Sequence, residues 1–318
     1  MSKGLSISVY VGITDYDWFS FLSQRPGLDE VNFWKPGGKT GFRALESGGL
    51  FLFKLHAPRN FIVGGGHFAH FSFIPASLAW EAFGTNNGAR TFEEMRDRIG
   101  AYREERIGLL DDPTIGCVLL EQPFFFSEEE WIPEPADWKS ATQQGKTYDL
   151  TSEIGRDLWD DVQLRLSARR SRELVADGSP SNPPGPGYGE PVLVRPRLGQ
   201  GTFRVLVTDN YERRCAVTGE RTLPVLQAAH IKPFSMVMEH DARNGLLLRS
   251  DIHTLFDRGY VTVTPEHRFE VSRRLKEDWE NGHDYYALRG NQVRIPEKVD
   301  ARPDAAFLQW HAENVFRG

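Results

Sequence analysis

The chain has 318 residues, 40% hydrophobic and 26% charged, with a formal net charge of -6. That balance describes a globular protein of about two domains and excludes a uniformly basic coat for nucleic acid. No apolar run approaches the roughly 20 residues of a membrane helix, so no membrane partner is expected.

The start, Met1-Ser2-Lys3-Gly4-Leu5, lacks the apolar core of a secretory signal. The two cysteines, Cys117 and Cys215, belong to no Cys-x-x-Cys pair and read as buried thiols of a cytoplasmic protein. Charge is unevenly spread. Residues 1–192 carry 19 Lys and Arg against 27 Asp and Glu, whereas residues 193–318 carry 19 against 17. The C-terminal part is the better partner for phosphate, although a difference this small also fits no function at all.

In chain order, Ile7–Val11 reads as a short strand. Leu50–Leu55 and Phe61–Phe68 read as a strand pair around the turn Pro58-Arg59-Asn60. Gly64, Gly65 and Gly66 lack the Lys-Ser/Thr ending of a phosphate loop and fit a strand bulge. Residues 92–106 form an amphipathic helical pattern, and Ile115–Leu120 a buried strand. A helix over 152–175 carries an apolar stripe of Leu158, Val162 and Leu166. Its Arg165, Arg169, Arg170 and Arg172 form either a phosphate contact or a solvated face. From Asp177 to Pro191, proline and glycine alternate too densely for helix or strand. The expected organisation is therefore a domain at 1–150, a connecting helix at 151–176, a flexible linker at 177–192 and a second domain at 193–318.

The chemistry-bearing residues lie after the linker. Cys215–Gly219 and Leu226–Pro233 read as two short strands, Leu246–Leu248 as an apolar run, and a helix capped by Ser250 follows. Hydrolysis of a phosphodiester needs a base for water and a Lewis acid for the charge that builds on phosphate and leaving oxygen. Histidine suits the first task, a histidine or carboxylate holding a metal the second, and an asparagine side chain can lock the loop between them. His230, Asn244 and His253 supply these types in order, 14 and 9 positions apart.

The surrounding text, Cys-Ala-Val-Thr-Gly at 215, Ala-Ala-His-Ile at 228, Asn-Gly-Leu-Leu-Leu at 244 and Asp-Ile-His-Thr-Leu-Phe-Asp at 251, resembles the HNH (ββα-metal) endonucleases. The resemblance covers about residues 193–318 and implies a divalent metal cofactor: Mg²⁺ first, with Mn²⁺, Co²⁺ or Zn²⁺ as alternatives. It makes His230 the general base, Asn244 the residue that orients the loop, and His253 a metal ligand. Many of these enzymes place an aspartate directly before the base histidine; here that position is Ala229. Gln227, Asp251 and Asp257 are the nearby oxygen donors, and Asp251 and Asp257 are the candidate metal partners of His253. Asp257 also suits a role behind the ligand, holding the His253 ring, or a plain salt bridge. Arg213, Arg214 and Lys232 are candidate DNA-backbone contacts. His240 reads as a loop residue and His311 as a packing residue of the last helix.

The N-terminal order, with Asp15 and Trp18 after one strand-like run and Asn32 and Trp34 in the next, resembles PUA-like domains of the EVE/ASCH type. That resemblance implies an α+β fold with a small β-barrel whose aromatic-lined pocket, in some relatives, takes a flipped modified base. Trp18 and Trp34 would be the walls, and Asp15 and Asn32 the readers of the base edge. With eight Trp and 21 Phe in the chain, most aromatics must also serve the core.

Together these features resemble modification-dependent type IV restriction endonucleases. The expected partner is double-stranded DNA carrying modified cytosine. A homodimer is one route to cutting both strands. The alternatives are an inactive or weak reader of modified nucleic acid, and an HNH nuclease that cuts unmodified DNA.

Overall fold

The computed structural model describes residues 8–104, 107–108, 110–176, 198–237 and 241–318, with backbone alone for 171–176. The Pro/Gly linker and His240 lie outside the described residues. The chain divides into two compact units, Met1–Pro196 and Arg197–Gly318.

The first unit runs β1 (Ser8–Thr14), α1 (Tyr16–Ser23), β2 (Glu30–Lys35), β3 (Leu50–Leu55), β4 (Phe61–Pro75), α2 (Ala76–Phe83), α3 (Phe92–Arg103), β5 (Thr114–Phe125), β6 (Ile132–Pro133), β7 (Gly145–Asp149) and α4 (Glu153–Ala176). Its strands form one sheet in the order β2-β5-β4-β3-β1-β7, with β6 paired to β4. The expected closed β-barrel is not formed, because the hydrogen-bonded path ends at β2 and β7.

All six residues of β3 are buried. Phe51, Phe53 and Leu55 enter one apolar cluster with Trp18 and Leu22, while Leu50 and Leu52 enter another with Leu158 and Val162 of α4. The sheet is therefore covered on both faces, by α1 on one and by α4 on the other. Each such side chain contributes about 1.5–3 kcal/mol.

The glycine run of β4 serves close strand approach. A Cβ on Gly64 would meet the Phe124 carbonyl oxygen at 2.2 Å, and one on Gly65 the Phe51 carbonyl oxygen at 2.6 Å. The β4–β5 register shifts between Gly65 and His67, which is the expected bulge. On α4, Arg165 donates to the Glu130 carbonyl and to Asp161, and Arg169 to the Phe125 carbonyl, so these two arginines fasten the helix to its own unit.

The second unit runs α5 (Gln200–Asn210), β8 (Leu226–His230), α6 (Phe234–Val237), β9 (Gly245–Arg249), α7 (Ser250–Asp257), β10 (Val261–Val263), β11 (Phe269–Val271), α8 (Arg274–Trp279), α9 (His283–Tyr286) and α10 (Ala305–Asn314). Of the two expected short strands, 226–233 forms β8 over its first five residues, whereas 215–219 forms no strand. Cys215–Gly219 is a closed turn, with the Gly219 N–H donating to the Cys215 carbonyl and Gly219 at φ +73°. The apolar run at 246–248 instead pairs antiparallel with β8, with His230 opposite Gly245. Ser250 is the first residue of α7, and Arg249 is its cap. Among the described residues no helix is long and apolar enough to cross a membrane.

Candidate functional site: a two-strand and helix metal centre

His230 ends β8, and the backbone beyond it is fixed by one side chain. The Asn244 amide accepts from the Lys232 N–H and donates to the Lys232 carbonyl, both at 2.8 Å. The Ile231 N–H donates to the Asn244 carbonyl at 2.9 Å. An amide side chain thus continues the β8–β9 ladder for one more residue. Asn244 is fully buried, so both of its polar ends need these partners.

Below this ladder sits α5. The Phe203 ring stacks on the His230 imidazole, centroids 4.0 Å apart and planes 8° from parallel. Gly245 allows that approach, since a Cβ there would come within 2.4 Å of Val207 and 3.1 Å of Phe203. In sequence Phe203 lies in the Arg197–Arg204 lead-in to the HNH resemblance with no role assigned to it; the stack exists only once α5 packs against the hairpin.

The helix α7 presents His253 and Asp257 on one face, as their spacing of four requires. His253 Nε2 lies 3.4 Å from Asp257 Oδ2. His253 Nδ1 is 2.8 Å from Gln227 Oε1 on β8. Asp251 goes elsewhere. Its two oxygens each take a bond from Arg249 at 2.7 Å, and Tyr285 donates to it at 3.1 Å. The Arg249 guanidinium holds the Asp251 carboxyl below the usual carboxylate range, against the opposing effect of burial. Asp251 is thus tied to the start of α7, which leaves His253 and Asp257 as the candidate metal donors.

A divalent ion fits this pair under one condition. Among the described residues no three His, Cys, Asp or Glu side chains gather around a common point. Ala229, in the usual acid position, is fully buried in the core. Two protein donors suit an ion that keeps water and takes phosphate oxygens, and do not suit a closed four-ligand zinc site.

The end of α7 is fixed by α10. His311 is buried, its ring stacked on Phe256 at 3.7 Å. Its Nε2–H donates to the Phe256 carbonyl at 3.1 Å, and its Nδ1 accepts from Thr262 at 2.8 Å. Burial lowers its pKa to about 4. Of the candidate backbone contacts, Lys232 carries its ammonium 5.4 Å from the Trp310 ring centre. Arg213 lies within 3.5 Å of Asp209, and the Nε of Arg214 is buried.

The first unit holds a separate cavity of about 640 Å³, whose lining includes Asp15, Trp18, Trp34, His56 and Tyr102. Trp18 is mostly core, edge-on to Phe33 and Phe53. Trp34 donates its indole N–H to the Asn87 carbonyl at 2.9 Å. Tyr102 donates to Asp15, and His56 Nε2 lies 3.7 Å from the same carboxylate oxygen. Burial, then Asp15, pushes the Tyr102 hydroxyl well above its ordinary range, which keeps it a donor. Asn32 does not line this cavity. It is fully buried, and its amide donates to Asn87 at 2.8 Å and to the Cys117 sulfur at 3.3 Å. It is a structural tie; strand alternation placed it on the right strand but could not show what would cover it. Tyr102 and His56 were missed because each reaches Asp15 from a distant element.

Residues 215–264 match the family model described as HNH endonuclease. That stretch carries an HNH endonuclease domain, which supports a nuclease enzyme; nucleases of this kind act on DNA and typically use a divalent metal. Over 96% of its length it is similar to 81% of a solved chain titled modification dependent TagI restriction endonuclease, at 13% identity and a TM-score of 0.30. A TM-score that low leaves the assignment resting on the family match. No curated protein matches the chain.

Proposed function

We propose that the chain is a modification-dependent DNA endonuclease, whose second unit cuts and whose first unit recognises a modified cytosine turned out of the helix. The convergence of Asp15, Trp18 and Trp34 on one cavity carries the recognition half of this reading. A flipped base needs a flat surface to lie on and a polar group at its edge. Trp34 offers the surface. Asp15, held by Tyr102, offers an acceptor for an exocyclic amine.

In the cutting half, His230 takes the proton from the attacking water. Phe203 fixes the plane of its ring, and the Asn244–Lys232 lock fixes the backbone after it. His253 and Asp257 would hold the divalent ion, whose positive charge would stabilise the scissile phosphate and the leaving oxygen. Lys232, Arg213 and Arg214 lie on the same unit as candidate phosphate contacts. One such site cuts one strand per engagement, so a double-strand break requires two copies or two events.

The test is a nicking assay on supercoiled plasmids containing cytosine, methylcytosine, hydroxymethylcytosine or glucosylated cytosine, with Mg²⁺, Mn²⁺ or Co²⁺. The expected result is nicking of at least one modified plasmid well above the unmodified one. Equal nicking of all four removes the recognition half and leaves a nuclease of unmodified DNA.

A further inference from the structure

The proposed metal site has a neutral amide where a charged partner would be usual. Gln227 and Ala229 are two positions apart on β8, so their side chains leave the strand on the same face. Ala229 is too short to reach α7 with a polar group. Gln227 does reach it, and its Oε1 lies 2.8 Å from His253 Nδ1. The opposite ring nitrogen, Nε2, is the one that faces Asp257 at 3.4 Å. Gln227 and Asp257 therefore sit at opposite ends of the imidazole, and Gln227 cannot share with Asp257 an ion bound at Nε2.

We propose that Gln227 is a positioning residue for the metal ligand His253: its carbonyl oxygen accepts the Nδ1 proton, which leaves the Nε2 lone pair directed at the ion that Asp257 shares. An amide oxygen only accepts, so the bond requires the hydrogen on Nδ1. Free histidine prefers the other tautomer, and without this bond the ring would present an N–H to the metal. Partners behind a ligating histidine characteristically fix both tautomer and ring direction in this way. This inference rests on the metal-dependent reading of the site.

The test uses the full chain and three variants, Gln227→Met, Gln227→Glu and His253→Ala, with Mn²⁺ as the probe. Binding is followed by calorimetry, and the His253 tautomer by nitrogen-15 resonance of labelled histidine in metal-free protein. The wild type is expected in the Nδ1–H form. Gln227→Met is expected to weaken Mn²⁺ binding by roughly 10- to 100-fold and to lose that tautomer. Gln227→Glu is expected to keep the tautomer and to bind Mn²⁺ at least as tightly as the wild type.

A Gln227→Met affinity within twofold of wild type would overturn the inference. So would a wild-type ring protonated on Nε2, a result that stands even where the variant fails to fold. His253→Ala separates the two levels. If it leaves Mn²⁺ binding intact, the site itself is wrongly placed; if it abolishes binding while Gln227→Met does not, only the role of Gln227 fails.

Discussion

The side chain of Asn244 and the backbone of Lys232 exchange two hydrogen bonds of 2.8 Å, one in each direction. Those bonds join the strand bearing His230 to the turn that leads into the next strand, inside a fully buried spot. Removing the amide strands two backbone groups at once, each at about 1–3 kcal/mol.

Asn244→Ala is therefore expected to destabilise the second unit by about 2–4 kcal/mol and to lower kcat for nicking more than KM for DNA. Asn244→Asp keeps the acceptor for the Lys232 N–H but sets a carboxylate against the Lys232 carbonyl, so it should rescue little. Thermal unfolding and nicking kinetics check both. A fully active, fully stable Asn244→Ala would contradict the lock.

Gly245→Ala tests the floor under His230. The added methyl meets Val207 at 2.4 Å and Phe203 at 3.1 Å, and such overpacking typically costs about 1–3 kcal/mol. It should also disturb the Phe203–His230 stack and reduce nicking, with Phe203→Leu giving a milder version of the same loss.

Acid should weaken the second unit through His311. Its folded pKa, about 4, lies below the ordinary histidine value of 6.5, so between these values the unfolded chain binds the extra proton. Stability from the neutral ring is thus fully present above about 6.5 and is lost as pH falls toward 4, by about 3 kcal/mol in all. Chemical denaturation at pH 7 and pH 4.5 should show a smaller acid loss in His311→Gln than in wild type. Equal losses would remove His311 from the acid response.

Asp251 and Asp257 should separate cleanly. Asp251→Asn breaks the Arg249 and Tyr285 contacts and should lower the melting temperature while Mn²⁺ affinity stays within a few-fold of wild type. Asp257→Asn should do the reverse, weakening Mn²⁺ binding with little effect on melting. The opposite pattern would restore Asp251 as the ligand.

In the first unit, Asp15→Asn and Trp34→Ala should each abolish the preference for modified plasmid while leaving metal binding in the second unit unchanged. Asn32→Asp should instead destabilise the first unit, because it puts a charge into a fully buried network with Asn87 and Cys117.

The sequence by itself determined the chemical identity of the second unit. His230, Asn244 and His253 stand in a text of short motifs whose residue types follow from the reaction, and the spacing of four in His253 and Asp257 sets both on one helix face. It also determined the strand pair at 50–68 and the helix read at about 152–175 and found at Glu153–Ala176, whose periodicities are local properties. Tertiary structure alone decided what each polar group meets. It paired β8 with 245–249, joined Asp251 to Arg249 and Tyr285, buried Asn32 away from the cavity, and gave β3 apolar partners on both faces of an open sheet. The physical reason is common to all four. Periodicity records the direction in which a side chain leaves its own element, whereas a hydrogen bond or an ion pair depends on which distant element arrives there, and that is settled only when the core packs.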